Sequence, residues 1–123
     1  MSASSAEPSI FSRIIAREIP ATILAETDRV IAIADIAPKA PVHILVVPKS
    51  EAYANVSELA AGDPGLLAEV VALSNQLAAE HSDGDFRLIF NSGPGAGQTV
   101  FHVHAHVLAW PGGASEEGSL GTF

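Results

Sequence analysis

The chain has 123 residues, five histidines and no cysteine, and its formal net charge is -8. This length suits a single domain with one hydrophobic core, and shares of 48% hydrophobic and 16% charged residues describe a compact globular protein. Six lysines and arginines cannot form a continuous phosphate-binding stripe, which argues against a nucleic-acid-binding protein, while the absence of cysteine excludes disulfides and thiolate metal sites.

The two ends of the chain are predicted to lie outside the domain. The first nine residues lack the basic and apolar regions of a secretory signal, and no stretch approaches the roughly 18 consecutive apolar residues of a membrane span. We therefore expect a cytoplasmic protein without a membrane segment, with a flexible tail over residues 1–9, one domain over 10–110 and a C-terminal tail over 111–123. The C-terminal tail carries Leu120 and Phe123, so it could instead dock on the domain or on a partner.

The N-terminal half predicts a short helix followed by three strands. The helix begins after Ser9, in IFSRIIARE, where apolar residues are spaced for one face, and Pro20 cannot continue it. Two strands are predicted in TILAE and VIAIADI, around the turn TDR, and Asp35 closes the second. The apolar run at residues 42–47 indicates a strand buried on both faces, in which His43 is the one polar side chain.

The C-terminal half predicts the main helix and two further strands. A single helical turn is expected at residues 57–59, and the pair Asp63 and Pro64 signals the start of the main helix, which Gly84 can stop. Its buried face is predicted from helical spacing at Leu66, Val70, Leu73 and Leu77. The strands follow in FRLIFN and TVFHVHAHVLAW, separated by the loop SGPGAGQ. This order predicts an α+β fold with a mostly antiparallel sheet of about five strands, one long helix and one short helix.

The last predicted strand places His102, His104 and His106 on one side, because residues two apart on a strand share a face. A metal site is the first alternative, but three alternate residues span about 13 Å, and no acidic residue lies in the strand or the loop. A second alternative is that the histidines are buried and satisfied by backbone or water. The third is nucleophilic or acid–base chemistry by neutral imidazoles, and spacing leaves open which histidine attacks. The core side of the same strand is predicted to carry Phe101, Val103, Ala105 and Val107.

The loop before this strand is rich in glycine, with alternating Gly93, Gly95 and Gly97. Glycine permits positive φ and close approach, so successive N–H groups can turn toward an anion. Polar side chains flank the loop at Asn91, Gln98 and Thr99, although an asparagine at a strand end serves more often in a turn. Together these residues indicate a pocket of neutral donors and imidazoles that suits an oxyanion such as a phosphate, and they do not choose the substrate.

The same strand contains HVHAHVL, which resembles the His-φ-His-φ-His-φ-φ signature of the histidine triad family, where φ is apolar, and the preceding NSGPGAGQTV is similar to the family's lead-in. Over about residues 10–108 the chain also resembles the Hint branch, in IFSRIIAREIPATILAE and DIAPKAPVHILVVPK. This resemblance implies a homodimer that joins two five-stranded sheets and binds purine nucleotides, AMP or GMP derivatives. It implies a phosphoramidase that hydrolyses adenosine 5'-phosphoramidate or adenylated lysine through a nucleotidyl-histidine, with no cofactor and no metal.

The resemblance also implies roles by position. His104 corresponds to the nucleophile, His102 and His106 to partners that contact the phosphate and orient it, and His43 to a fourth histidine on the neighbouring strand. The phosphate contacts correspond to Asn91, Gly97, Gln98 and Thr99. The nucleoside contacts correspond to the ribose-binding Asp35 with Ile36 beside it, and to an apolar base pocket of Phe11, Ile14, Ile19 and Ile33.

Two other functions compete with this interpretation. A dinucleoside polyphosphate hydrolase of the fragile-histidine-triad branch shares GQTV and the nucleophile but not the N-terminal resemblance, and the other alternative is a non-catalytic nucleotide-binding regulatory protein. The Hint branch usually continues after HVL with Gly-Gly-Arg and a longer segment, whereas Leu108 is followed directly by AWPGG. This difference leaves the leaving-group preference open, and the small Ala105 predicts a local packing change under the strand.

Overall fold

A computed structural model describes residues 8–113, so Leu120, Phe123 and most of the two predicted tails lie outside the described residues. Its strands form one antiparallel sheet in the order β1-β2-β3-β5-β4, which confirms the predicted α+β fold with a five-stranded antiparallel sheet. A 3-10 turn at Pro94–Ala96 lies between the last two strands. The elements are α1 (Ile10–Ile15), β1 (Ile23–Glu26), β2 (Val30–Ala34), β3 (Val42–Pro48), α2 (Val56–Gly62), α3 (Pro64–His81), β4 (Arg87–Ile89) and β5 (Ala105–Ala109).

The central strand β3 separates two hydrophobic clusters, because its side chains alternate between the faces of the sheet. Ile44 and Val46 belong to the larger cluster, which packs against α3. Leu45 belongs to the smaller cluster on the opposite face, which packs against α1. His43 lies two residues before Leu45 and is itself buried, so its side chain shares the α1 face. The candidate site is therefore on the α1 side of the sheet.

The start of α3 is as predicted. Pro64 occupies the first turn, and the Asp63 carboxylate accepts a hydrogen bond from the Leu66 N–H at 3.0 Å. The four residues predicted for its core face are all buried. The helix ends before Gly84, which has a φ of 101° in the turn that follows. None of the helices within residues 8–113 has the length and apolarity that a membrane crossing requires.

The other two helices differ in length from the predictions. α2 has seven residues and is longer than the predicted single turn. The Asn55 side chain caps its start by accepting the Glu58 N–H at 3.0 Å. α1 ends at Ile15, well before Pro20, because Arg17 adopts a φ of 65° that a helix cannot contain. The described part of the chain therefore has three α-helices, where one long and one short helix are predicted.

The predicted last strand is too long. β5 pairs with β3 from Ala109 back to Ala105, and before Ala105 the chain leaves the sheet, since the Val103 N–H donates to the Tyr53 carbonyl at 3.0 Å. Phe101, predicted for the core, is 56% exposed as a result. The other core-side residues are buried in the larger cluster: Val103, Ala105 and Val107. Ala105 is the position at which the sequence predicts a local packing change.

β4 is also shorter than FRLIFN, since only Arg87–Ile89 pairs with β5. The predicted alternation nevertheless holds beyond the hydrogen-bonded residues. Three alternate side chains pack against the larger cluster, as the predicted strand requires: Phe86, Leu88 and Phe90. Asn91 thus lies two residues beyond the strand, at the entrance to the glycine-rich loop.

Candidate active site

Four histidines converge on the α1 face, three from the segment around β5 and one from β3. The Nε2 of His43 lies 3.0 Å from the Nδ1 of His106. The ring centroid of His106 is 5.2 Å from that of His104 and 5.3 Å from that of His43. The structure therefore brings His43 into the cluster as predicted, in direct contact with His106, which stands between it and His104.

The protonated nitrogen of His104 is determined by a backbone contact. Its Nδ1 is 2.9 Å from the carbonyl oxygen of His102, and a carbonyl can only accept, so Nδ1 carries the proton. Burial lowers the pKa of His104, so the ring is neutral at pH 7. In a neutral imidazole with Nδ1–H, the lone pair is on Nε2. His104 thus holds a nucleophilic nitrogen in a fixed direction.

A second backbone contact determines the protons of His43 and His106. The Lys39 N–H donates to His43 Nδ1 at 3.0 Å, so the proton of neutral His43 is on Nε2 and is donated to His106 Nδ1. His106 must then carry its own proton on Nε2. Its pKa is lowered to about 4 by burial and by the neighbouring His104 and His43 rings. His106 is therefore a neutral N–H donor beside His104.

A candidate metal cluster was missed by the sequence reasoning, which searched only the strand and the loop for an acid. The ligand atoms of Asp35, His43 and His106 lie within 4.8 Å of one another, because β3 lies between β2 and β5 in the sheet. Asp35 follows a strand that pairs with the strand of His43, and this adjacency was the available signal. However, the Lys39 N–H occupies His43 Nδ1 and leaves the proton on Nε2, where a metal would need a lone pair. The hydrogen bonds of the described residues therefore disfavour a metal here.

His102 has a different position from the other two triad histidines. It is 1% exposed, its Nε2 donates to the Pro48 carbonyl at 2.6 Å, and its Nδ1 lies 2.6 Å from the Ser9 hydroxyl. With both ring nitrogens engaged in the interior, His102 cannot contact a phosphate, which corrects that part of the expectation. It orients His104 through its backbone carbonyl. Ser9, predicted to end a flexible tail, is likewise fixed by this contact.

The predicted nucleoside residues fall into two groups. Phe11 stands against the triad, with its ring centroid 4.9 Å from that of His104, and Asp35 Oδ2 is 3.4 Å from His43 Nε2. Ile36 is 97% exposed beside Asp35. The structure therefore places Phe11 and Asp35 beside the histidines, keeps the other predicted apolar residues on the same face of the sheet, and leaves Ile36 in solvent. The apolar set consists of Phe11, Ile14 and Ile33, all buried in the smaller cluster, and Ile19, packed against it.

The glycine-rich loop has the predicted backbone conformation but a different role. Gly93 and Gly97 both have a φ of 90°. The Gly97 N–H donates to the Pro94 carbonyl and the Gln98 N–H to the Gly93 carbonyl, each at 3.1 Å. These bonds close a turn, so the expectation that the N–H groups of Gly97 and Gln98 face an anion is not met.

The side chain of Gln98 supports the loop and does not face the site. Its Oε1 accepts the Gly93 N–H at 2.8 Å, and its Nε2 donates to the Ala54 carbonyl at 2.6 Å and the Val100 carbonyl at 2.9 Å. Asn91 donates one N–H to the Ala96 carbonyl at 2.8 Å, the turn role, which leaves its second N–H. Thr99 is exposed at the exit of the loop. Of the four predicted phosphate contacts, Asn91 and Thr99 keep available donors.

Replacing the buried Gln98 with alanine is expected to lower the free energy of unfolding by about 1–3 kcal/mol, because the part-buried Gly93 N–H and two part-buried carbonyls lose their partner. The matched control is Gln76→Ala on the exposed face of α3, where the amide bonds only Glu80 and where little change is expected. Urea unfolding of both variants measures the difference. Equal stability of the two variants would contradict the structural role of Gln98.

The segment AWPGG, which begins at the last residue of β5, replaces the Gly-Gly-Arg and longer segment usual in the Hint branch, and it folds back in a short turn. The Gly113 N–H donates to the Trp110 carbonyl at 2.8 Å. The Arg87 guanidinium lies over the Trp110 ring, 5.1 Å from its centroid, in a cation–π contact. Because Arg87 is on β4, the edge strand, this departure lies at the β4 edge of the sheet.

Comparison with known proteins gives consistent matches over nearly the whole described chain. A family model for the HIT domain matches residues 16–111, which include all four clustered histidines. An uncharacterised HIT-like protein of Synechocystis is 44% identical over 114 residues, covering 88% of this chain and 99% of that protein. Adenylylsulfatase HINT1 of Arabidopsis thaliana is 34% identical over 113 residues, covering 86% and 77%. The structure of a HIT family hydrolase from Clostridium thermocellum matches with a TM-score of 0.79 and 43% identity, covering 89% and 93%.

Proposed function

The chain belongs to the HIT family, and from this membership and the geometry of its histidines we propose that it is a purine nucleoside phosphoramidase of the Hint branch. The substrates are phosphoramidates of AMP or GMP, and the reaction releases the nucleoside monophosphate and an amine. The observation that carries the proposal is the His104 ring, whose Nδ1–H is held by the His102 carbonyl so that Nε2 is an unprotonated nucleophile.

The reaction has two steps. In the first, His104 Nε2 forms a bond to the α-phosphorus while the P–N bond of the substrate breaks, and the amine leaves with the bonding electrons and takes a proton from solvent. In the second, water attacks the same phosphorus and releases a proton to solvent, the bond to His104 breaks with its electron pair returning to Nε2, and the nucleotide leaves. The His102 carbonyl stabilises the positive charge that the His104 ring carries between the steps, because it accepts the Nδ1–H.

Other residues hold the substrate. The Nε2–H of His106, the second N–H of Asn91 and the Thr99 hydroxyl are the neutral donors for the phosphoryl oxygens. Asp35 accepts the ribose hydroxyls, and the base packs on the apolar surface formed with α1. The base contacts are Phe11, Ile14, Ile19 and Ile33, and Ile36 lies beside Asp35 at the ribose. A homodimer and a cytoplasmic location belong to the same proposal.

A substrate panel tests the reaction class. We expect the protein to release AMP from adenosine 5'-phosphoramidate and adenylated lysine much faster than from diadenosine polyphosphate. Adenylyl sulfate belongs in the panel because the Arabidopsis relative is named an adenylylsulfatase. Preference for diadenosine polyphosphate would support the alternative hydrolase. Tight AMP binding without turnover of any substrate would indicate a regulatory protein and overturn the proposal.

A further inference from the structure

We propose that Ser9 is a positioning residue for the catalytic histidines: its hydroxyl holds the His102 ring and thereby fixes the direction of His104. Ser9 lies 93 residues from His102 in sequence, and their side-chain atoms are 2.6 Å apart. The catalytic consequence rests on the proposed function. The positioning itself is a property of the free protein and can be measured without substrate.

The direction of the hydrogen bond follows from the partners of each atom. The Pro48 carbonyl accepts the His102 Nε2–H, and burial lowers the pKa of His102, so its Nδ1 carries a lone pair and must accept. The Ser9 hydroxyl is therefore the donor. The hydroxyl of Ser12, 3.3 Å away, can rotate to donate to Ser9 and does not compete for this proton.

Ser9 is itself held in place from two sides. As the N-cap of α1, its hydroxyl oxygen accepts the Ser12 N–H at 3.0 Å. Its backbone N–H donates to Glu51 Oε1 at 3.0 Å, beyond the end of β3. One hydroxyl thus caps the helix with its oxygen and holds His102 with its proton, so the position of α1 and the orientation of the triad are coupled.

The coupling extends from His102 to the nucleophile. The His102 carbonyl accepts the His104 Nδ1–H, so a rotation or shift of His102 changes the direction of His104 Nε2. Phe11, two residues after Ser9, contacts both rings, with centroids 5.8 Å from His102 and 4.9 Å from His104. Without the Ser9 proton, the Nδ1 of a side chain that is 1% exposed has no partner, which favours a different ring orientation.

Three variants separate helix capping from histidine positioning. Ser9→Gly removes the hydroxyl but is tolerated at an N-cap at a small cost in stability. Ser9→Thr retains the hydroxyl and is the conservative rescue. Ser12→Ala removes a hydroxyl from the same helical turn, one that donates no hydrogen bond to His102 or His104, and is the matched control.

The readouts are the ring nitrogen resonances of His102 and His104 in 15N-histidine-labelled protein, and kcat and KM for adenosine 5'-phosphoramidate. In Ser9→Gly we expect both resonances to shift and kcat to fall about tenfold, the loss of roughly one hydrogen bond, with KM nearly unchanged. Ser9→Thr and Ser12→Ala should match the parent protein.

Unchanged His102 and His104 resonances in Ser9→Gly would overturn the proposal, as would a loss of kcat in Ser9→Gly that Ser9→Thr shares. Failure of the proposed function gives a different result. If the parent protein hydrolyses no phosphoramidate but the resonances shift in Ser9→Gly and return in Ser9→Thr, the positioning role stands and the proposed reaction does not.

Discussion

Replacing His104 with alanine is expected to lower kcat/KM for adenosine 5'-phosphoramidate by at least about 10³-fold, the loss typical when a catalytic nucleophile is removed. No other ring of the cluster can take its place. His106 carries its proton on Nε2 and has its Nδ1 against His43, and both nitrogens of His102 are bonded in the interior. Nucleotide affinity should change little, since the phosphate donors remain.

The matched control is Gln76→Ala, because Gln76 is exposed on α3, which packs on the opposite side of the sheet from α1. Steady-state release of AMP, with nucleotide affinity measured by calorimetry, separates loss of chemistry from loss of binding. Turnover by His104→Ala within a few-fold of the Gln76→Ala rate would remove His104 from the nucleophilic role.

Lowering the pH from 7 toward 4 is expected to destabilise the protein progressively, because the native state resists protonation of its histidine cluster. Burial lowers the pKa of all four histidines, and that of His106 to about 4. Below the unfolded value of about 6.5, the unfolded chain therefore binds protons that the native chain does not, so stability falls as pH falls. Each histidine contributes a slope of at most about 1.4 kcal/mol per pH unit between its unfolded and folded pKa.

Urea midpoints at several pH values between 7.5 and 4 would measure this slope. His106→Gln should flatten it. Glu26→Gln distinguishes the effect of a carboxylate from that of the histidines. Hydrogen bonds from Lys49 and Arg17 hold the pKa of Glu26 below 4.5, so the stability that its ionised form contributes is lost only at a lower pH than that at which the unfolded histidines begin to bind protons. A midpoint that stays constant between pH 7 and 5 would contradict the assignment of neutral, buried histidines.

Local signals in the sequence predicted the scaffold of this site well. Asp63 and Pro64 start α3 as capping chemistry requires, and an apolar run places His43 in the central strand. Alternation placed His104 and His106 on the site face, although β5 itself begins only at Ala105. These features depend on neighbours within a few residues, which is the range over which periodicity and capping act.

The features that sequence reasoning missed depend on partners remote in the chain. Phe101 leaves the core because Val103 bonds to Tyr53, and nothing near Phe101 in sequence indicates this. Gln98 is a loop support because Ala54, 44 residues away, accepts its amide proton. Ser9 belongs to the site through His102 in the same way. In each of these polar contacts, only the tertiary fold brings the two partners close together.

The nucleotidylated enzyme is the species on which the proposed reaction depends most directly. We would mix the protein with adenosine 5'-phosphoramidate, quench within one turnover, and map the modified peptide by mass spectrometry with fragmentation across residues 101–108. The expected result is one adenylyl group on His104, absent from His104→Ala. Turnover with no adenylyl group on the protein, or with the group on His102 or His106, would contradict the nucleophilic role that the Nε2 lone pair of His104 implies.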